Sequence, residues 1–164
     1  MKTFRSILPA LVALIALAPG SANASVKEDS VDVDHVIAAY HEAVVSHDAE
    51  RLKALFVEGS AWFSALTDEG LQRVRARKPE TPRMRPGSVH AFAEMVASKA
   101  TQLDPRHTDL KIWTDGTVAA VTFKFRFFAD GRETNRGSES WQLIKGDDGW
   151  RIVSIIYSSA PPAG

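Results

Sequence analysis

From residue 108 onward the chain consists of extended segments separated by aspartate–glycine turns, and this pattern constrains the fold more than any other. Asp115-Gly116, Asp130-Gly131 and Asp147-Asp148-Gly149 divide residues 108–114, 117–128, 133–145 and 150–158 into four strands. Asp-Gly suits a two-residue turn whose central residues both take positive φ, so Asp130-Gly131 predicts a tight hairpin. An antiparallel meander of this kind needs an apolar cover on one face.

The upstream residues supply the cover. Val33, Val36, Ile37, Tyr40 and Val44 recur at helical spacing, and Ser30 or Asp32 can cap that helix. Asp48 can cap a second, shorter helix with Leu52, Leu55 and Phe56 as its stripe, stopped by Gly59. Residues 61–66 read as a strand and Asp68-Glu69-Gly70 as a turn. Residues 71–77 read as a return strand with Arg73, Arg75 and Arg77 on one face. Three prolines make 78–87 a loop. Ser88 caps a third helix whose inner face is Val89, Phe92, Met95 and Val96, and Asp104-Pro105 closes it. The expected domain is α+β and cone-shaped, with three helices packed on a strongly curved antiparallel sheet around a ligand-sized hollow.

The start of the chain reads as an address. Lys2 and Arg5 precede an uncharged, mainly apolar run over residues 7–18, too short to span a bilayer. Pro19-Gly20 breaks it and Ala22-Asn23-Ala24 offers a cleavage site. Residues 1–24 are therefore expected to be a secretory signal, 25–30 a flexible leader, 31–159 the domain and 160–164 a disordered tail. This predicts a periplasmic or secreted protein with no stable membrane span after cleavage. Twenty basic and twenty acidic residues balance, which disfavours a nucleic-acid partner. The absence of cysteine removes disulfides, thiolate nucleophiles and cysteine-ligated metal. No glycine-rich phosphate loop or metal-ligand spacing occurs, so no cofactor and no metal are expected.

The Asp130-Gly131 turn sets a register in which Phe128 faces Glu133, Arg126 faces Asn135 and Phe123 faces Ser138. One face then carries Phe123, Phe125, Phe127, Arg136, Ser138 and Ser140. The other carries Lys124, Arg126, Glu139 and Trp141. The phenylalanines belong against the helices. Lys124, Glu139 and Trp141 then look outward and suggest a homodimer interface, with Lys124 and Glu139 paired. A β-bulge in the hairpin would exchange these faces.

The stretches VIAAYHEAVVSHDAERLKALF, DGTVAAVTFKFRFFADGR and GWRIVSIIYSS resemble the nuclear transport factor 2-like superfamily in its SnoaL-like branch, over residues 31–159. The resemblance implies a cone-shaped domain, commonly a homodimer, with a central pocket. The superfamily includes isomerases, cyclases, epoxide hydrolases, dehydratases and non-enzymatic binders. For the ketosteroid isomerase type it implies that the oxyanion-donating tyrosine falls on Tyr40. The general base falls on Ser64, which cannot serve as one, and the second oxyanion donor falls near Ser140.

The pocket residues expected on this reading are Tyr40, Trp62, Ser64, Phe123, Phe125, Arg136 and Ser140. Tyr40 is either a donor into the pocket or a core tyrosine. Arg136 either meets an anionic ligand or stays solvated past the sheet edge. His35, His41, His47, His90 and His107 are available as lone bases, though surface and rim positions suit them as well. Arg73, Arg75, Arg77, Lys78, Arg83 and Arg85 form either an anion-attracting lid or a solvated edge strand. The expected function is binding of a small hydrophobic or amphipathic molecule without established catalysis. The alternative is an isomerase, dehydratase or hydrolase using Tyr40 and an unassigned base.

Overall fold

The computed structural model describes residues 20–162, with side chains from residue 25 onward. The expected signal segment thus lies almost wholly outside the described residues. The elements run α1 (Gly20–Val45), α2 (Ala49–Ala54), β1 (Phe56–Leu66), α3 (Asp68–Arg75), β2 (Met84–Pro86), α4 (Val89–Ala97), β3 (Leu103–Thr114), β4 (Val118–Ala129), β5 (Arg132–Gly146) and β6 (Gly149–Ser159). They form one six-stranded sheet in the order β2-β1-β6-β5-β4-β3, with the helices packed against it.

Helix α1 buries Val33, Val36, Ile37, Tyr40, Ala43 and Val44, the apolar stripe seen in its sequence. The chain leaves it through His47 at φ 61, and Asp48 then caps α2 by accepting from Arg51 N at 2.9 Å. Ser88 caps α4 in the same way, accepting from Ala91 N. Residues 25–30 are not a flexible leader: they continue α1, and buried Asp29 accepts from Lys145 Nζ at 2.6 Å. Residues 68–75 form α3 rather than part of a hairpin. Thr67 accepts from Gly70 N, and Asp68 and Glu69 in the first turn with Arg73 and Arg75 in the last suit the helix dipole. The strand that pairs with β1 is β2, inside the proline-rich stretch, with Ser64 opposite Arg85.

The sheet is antiparallel except where β1 runs parallel to β6, from Ala61 opposite Ser154 to Leu66 opposite Ser159. Four irregularities bend it: residues 57–60 interrupt β1, Asp109-Leu110 β3, Thr134 β5 and Val153 β6. The Asp130-Gly131 turn forms as expected, with φ of 50° and 74°. Phe128 does face Glu133, but the extra residue Thr134 then sets Asn135 opposite Phe127, Gly137 opposite Phe125, Glu139 opposite Phe123 and Trp141 opposite Val121.

Every later side chain of β5 is thereby turned over. Trp141 is wholly buried in the core, not on an outer face. Glu139 is inside as well, and Lys124 donates to Ser138 Oγ at 2.8 Å instead of pairing with it. Arg136 and Ser140 are outside, opposite Arg126 and Thr122. Ala160, the first residue of the expected tail, exchanges both backbone hydrogen bonds with Arg136. Among the described residues, no helix is long and apolar enough to cross a membrane.

Candidate functional site

Between the helices and the inner face of the sheet lies a cavity of about 200 Å³. Helix α1 contributes Tyr40, β1 Trp62, and α4 Phe92 and Met95. The sheet adds Pro105 and His107 from β3, Phe125 and Phe127 from β4, Asn135 and Glu139 from β5, and Tyr157 from β6. Aromatic contacts hold the wall. Tyr40 stacks on Phe92 at 6.1 Å and meets Trp141 edge-on at 5.0 Å, while Trp62 stacks on Phe56 at 5.9 Å.

Into this apolar enclosure β5 sends one carboxyl group. Burial pushes Glu139 up to about 7, while the Trp141 indole N–H, donating to Oε1 at 2.7 Å, draws it the other way. His107 shares the cavity and packs against Phe123 at 4.4 Å. Burial, and secondarily the neighbouring His41, lowers it to about 4, so its imidazole is neutral. His41 is turned away, its Nδ1–H donating to the Pro105 carbonyl at 2.7 Å. The Tyr40 hydroxyl is held well above its ordinary value by burial, then by Glu139 and Tyr157, and stays a neutral donor.

The residues expected from sequence divide between two places. Tyr40, Trp62 and Phe125 line the cavity. Phe123 is buried behind it, against His107 and Trp141. Ser64 and Ser140 instead border a more open groove of about 890 Å³, together with Phe63, Leu110, Lys124 and Ile156; Phe123, Glu139 and Tyr157 line this groove as well. Arg136 lines neither of the two; its Nε donates to the Pro161 carbonyl at 3.1 Å.

Glu139, Asn135 and Tyr157 were not foreseen as site residues, and His107 was one of five histidines named as available lone bases. The one signal for Glu139 was Trp141, two positions along: a register that exposes a tryptophan is costly and hints at a bulge. Among the described residues, no group of three or more His, Asp or Glu is placed to hold a metal. The arrangement can therefore enclose an apolar ring, offer it neutral hydrogen-bond donors, and exchange a proton with it at neutral pH.

A cystatin-like, nuclear transport factor 2-like structure from Novosphingobium aromaticivorans superposes with a TM-score of 0.63 at 17% identity, covering 93% of this chain and 95% of the other. A protein from Streptomyces avermitilis, provisionally described as a dehydratase of the same family, gives 0.59 at 18% identity over 83% and 99%. One from N. aromaticivorans, provisionally described as a scytalone dehydratase, gives 0.62 at 13% identity over 84% and 88%. At such identities the likeness is one of fold. No protein of curated function matches the chain. The SnoaL-like domain family matches residues 33–163, most of the chain, and it is to this family, with its nuclear transport factor 2-like fold, that the protein belongs.

Proposed function

We propose that the inner cavity binds a small, mainly apolar, ring-bearing molecule and that Glu139 moves a proton on it, in a cofactor-free isomerisation or dehydration. The observation that carries this reading is the Glu139 carboxyl, poised at about 7 inside an aromatic enclosure beside Tyr40. A group that titrates near the working pH is an efficient acid and base. As carboxylate, Glu139 takes a proton from carbon next to a carbonyl. Tyr40, a neutral donor, stabilises the oxygen on which charge develops. As acid, Glu139 returns the proton to a neighbouring carbon or to a departing hydroxyl. The dehydratase descriptions carried by two structures of the same fold agree with such chemistry. In size the cavity suits a single substituted ring, since a void of about 150 Å³ accommodates benzene.

We also propose export, on the signal pattern of residues 1–24, and a homodimer through the outer groove, where Phe63, Leu110 and Ile156 are exposed on an otherwise uncovered sheet face.

Proton abstraction is tested without knowing the natural substrate. Acetophenone and cyclohexenone are incubated with the chain in deuterated buffer and the deuterium incorporated next to the carbonyl is followed by mass spectrometry. The expected exchange exceeds buffer, rises with pH about a midpoint near 7, and falls roughly 100-fold in Glu139→Gln. Binding of both ketones with no exchange above buffer would leave a binder and remove the catalytic reading.

A further inference from the structure

Asn135 and Glu139 share the inner face of β5, four residues apart, so their Cα atoms are separated by roughly 13 Å. Both line the one cavity, which therefore runs along the strand between two polar ends. Gly137, between them on the same face, adds no side chain; a Cβ there would lie 1.9 Å from the Ser158 carbonyl oxygen. Tyr40 couples electrostatically to Glu139 and belongs to that end. The other end is governed by Asn135.

The orientation of the Asn135 amide is set from outside the cavity. Ser159 Oγ donates to Asn135 Oδ1 at 2.9 Å, and Ser159 is itself anchored because its carbonyl accepts from Thr67 N. With its oxygen engaged, the amide has its nitrogen left over. Among the described residues Nδ2 has no acceptor and is not sealed off, and Asn135 lines the cavity, so its amide N–H₂ is available to a ligand there. An amide N–H₂ fixed in this way selects an oxygen that can accept. Ligands lacking one leave the amide desolvated without compensation.

We propose that Asn135, positioned by Ser159, is the specificity-determining residue of the cavity, and that the bound molecule carries a carbonyl or ether oxygen on its ring at the end remote from Glu139. This rests on the cavity being the binding site. It adds a second polar point to the ligand, independent of the proton transferred at Glu139.

The test uses two probes of equal shape, 4-methoxyacetophenone and 4-ethylacetophenone, which keep the ketone for the Glu139 end and differ only in that a methylene replaces the ether oxygen at the other. Dissociation constants are measured by tryptophan fluorescence for the whole chain, Asn135→Leu, Ser159→Ala and Tyr40→Phe, and the Asn135 side-chain amide resonance is followed by ¹⁵N NMR. The unaltered chain should prefer the methoxy probe by about tenfold, as one hydrogen bond supplies. Asn135→Leu should bind the two alike, Ser159→Ala should lose part of the preference, and Tyr40→Phe, which weakens both probes equally, should retain it. The methoxy probe should shift the amide resonance and the ethyl probe should not. A preference that survives Asn135→Leu, or equal binding of both probes to the unaltered chain, overturns the assignment while leaving the cavity as binding site. Failure of both probes to bind overturns the cavity reading, and this inference with it.

Discussion

The Trp141 indole N–H donates to Glu139 Oε1 at 2.7 Å from two residues along the same face of β5. The pair does two things at once. It satisfies the one polar atom of a tryptophan with no solvent exposure, and it fixes the carboxylate rotamer in the cavity wall. A donor to the charged form favours ionisation, so the indole holds down a value that burial alone would raise further. Trp141→Phe keeps the ring packing and removes the donor. The Glu139 midpoint, read from its carboxyl ¹³C resonance, should move above 7, and the chain should lose about 1–2 kcal/mol of stability. An unmoved midpoint would show that the indole bond carries no electrostatic weight.

The same carboxyl gives stability an unusual pH dependence. Glu139 is raised from 4.5 to about 7 in the folded chain, so the folded state keeps a proton that the unfolded state releases. Its contribution therefore falls as pH rises from about 4.5 to about 7 and is constant above that. His107 behaves oppositely. Lowered from 6.5 to about 4, it costs stability as pH falls through that window. The two slopes offset each other in the unaltered chain. In Glu139→Gln only the His107 slope remains, and near pH 8 the variant should be the more stable by up to about 3 kcal/mol. Urea midpoints across the range check this; parallel curves for the two proteins would refute it.

Thr134 is the extra residue that decides which half of β5 faces the helices. Deleting it leaves Glu133 opposite Phe128 and Asn135 opposite Phe127, so the hairpin becomes a regular ladder in which Glu139 and Trp141 still face inward. The deletion variant should therefore keep the tryptophan emission of the unaltered chain and lose little in Tm. A red-shifted emission with a much lower Tm would show that the bend of the bulge, and not parity alone, holds Trp141 inside.

Ile156 is 54% exposed on the outer face beside Phe63. If this face joins two copies, Ile156→Glu places a charge in an apolar seam. The mass by light scattering should then fall from twice that of the chain to once. A monomeric wild-type protein, or a variant that still dimerises, would remove the proposed interface.

Much of the fold was legible locally. The stripe from Val33 to Val44, the caps at Asp48 and Ser88, and the turns at Asp115, Asp130 and Asp147 depend on residues a few positions apart, where spacing and turn chemistry dictate backbone shape. Residues 68–75 misled because an alternation of arginines suits an exposed strand as well as an exposed helix. Thr67, with acidic residues after it, decided for the helix. Within the site, Tyr40, Trp62 and Phe125 could be found because each sits on an apolar stripe whose inward direction is local knowledge.

Glu139 and Asn135 could not be found that way, nor could His107 be singled out from the other histidines. Strand side chains alternate, so one inserted residue reverses every assignment beyond it, and whether Thr134 is accommodated depends on how β5 pairs with β4 and β6 and on the gain from burying Trp141. The sequence by itself determined most of the elements, the turns, the family and an apolar interior. Only the tertiary structure decided which polar groups that interior encloses, because parity along a sheet and the desolvation that tunes a carboxyl are properties of packed neighbours, not of adjacent residues.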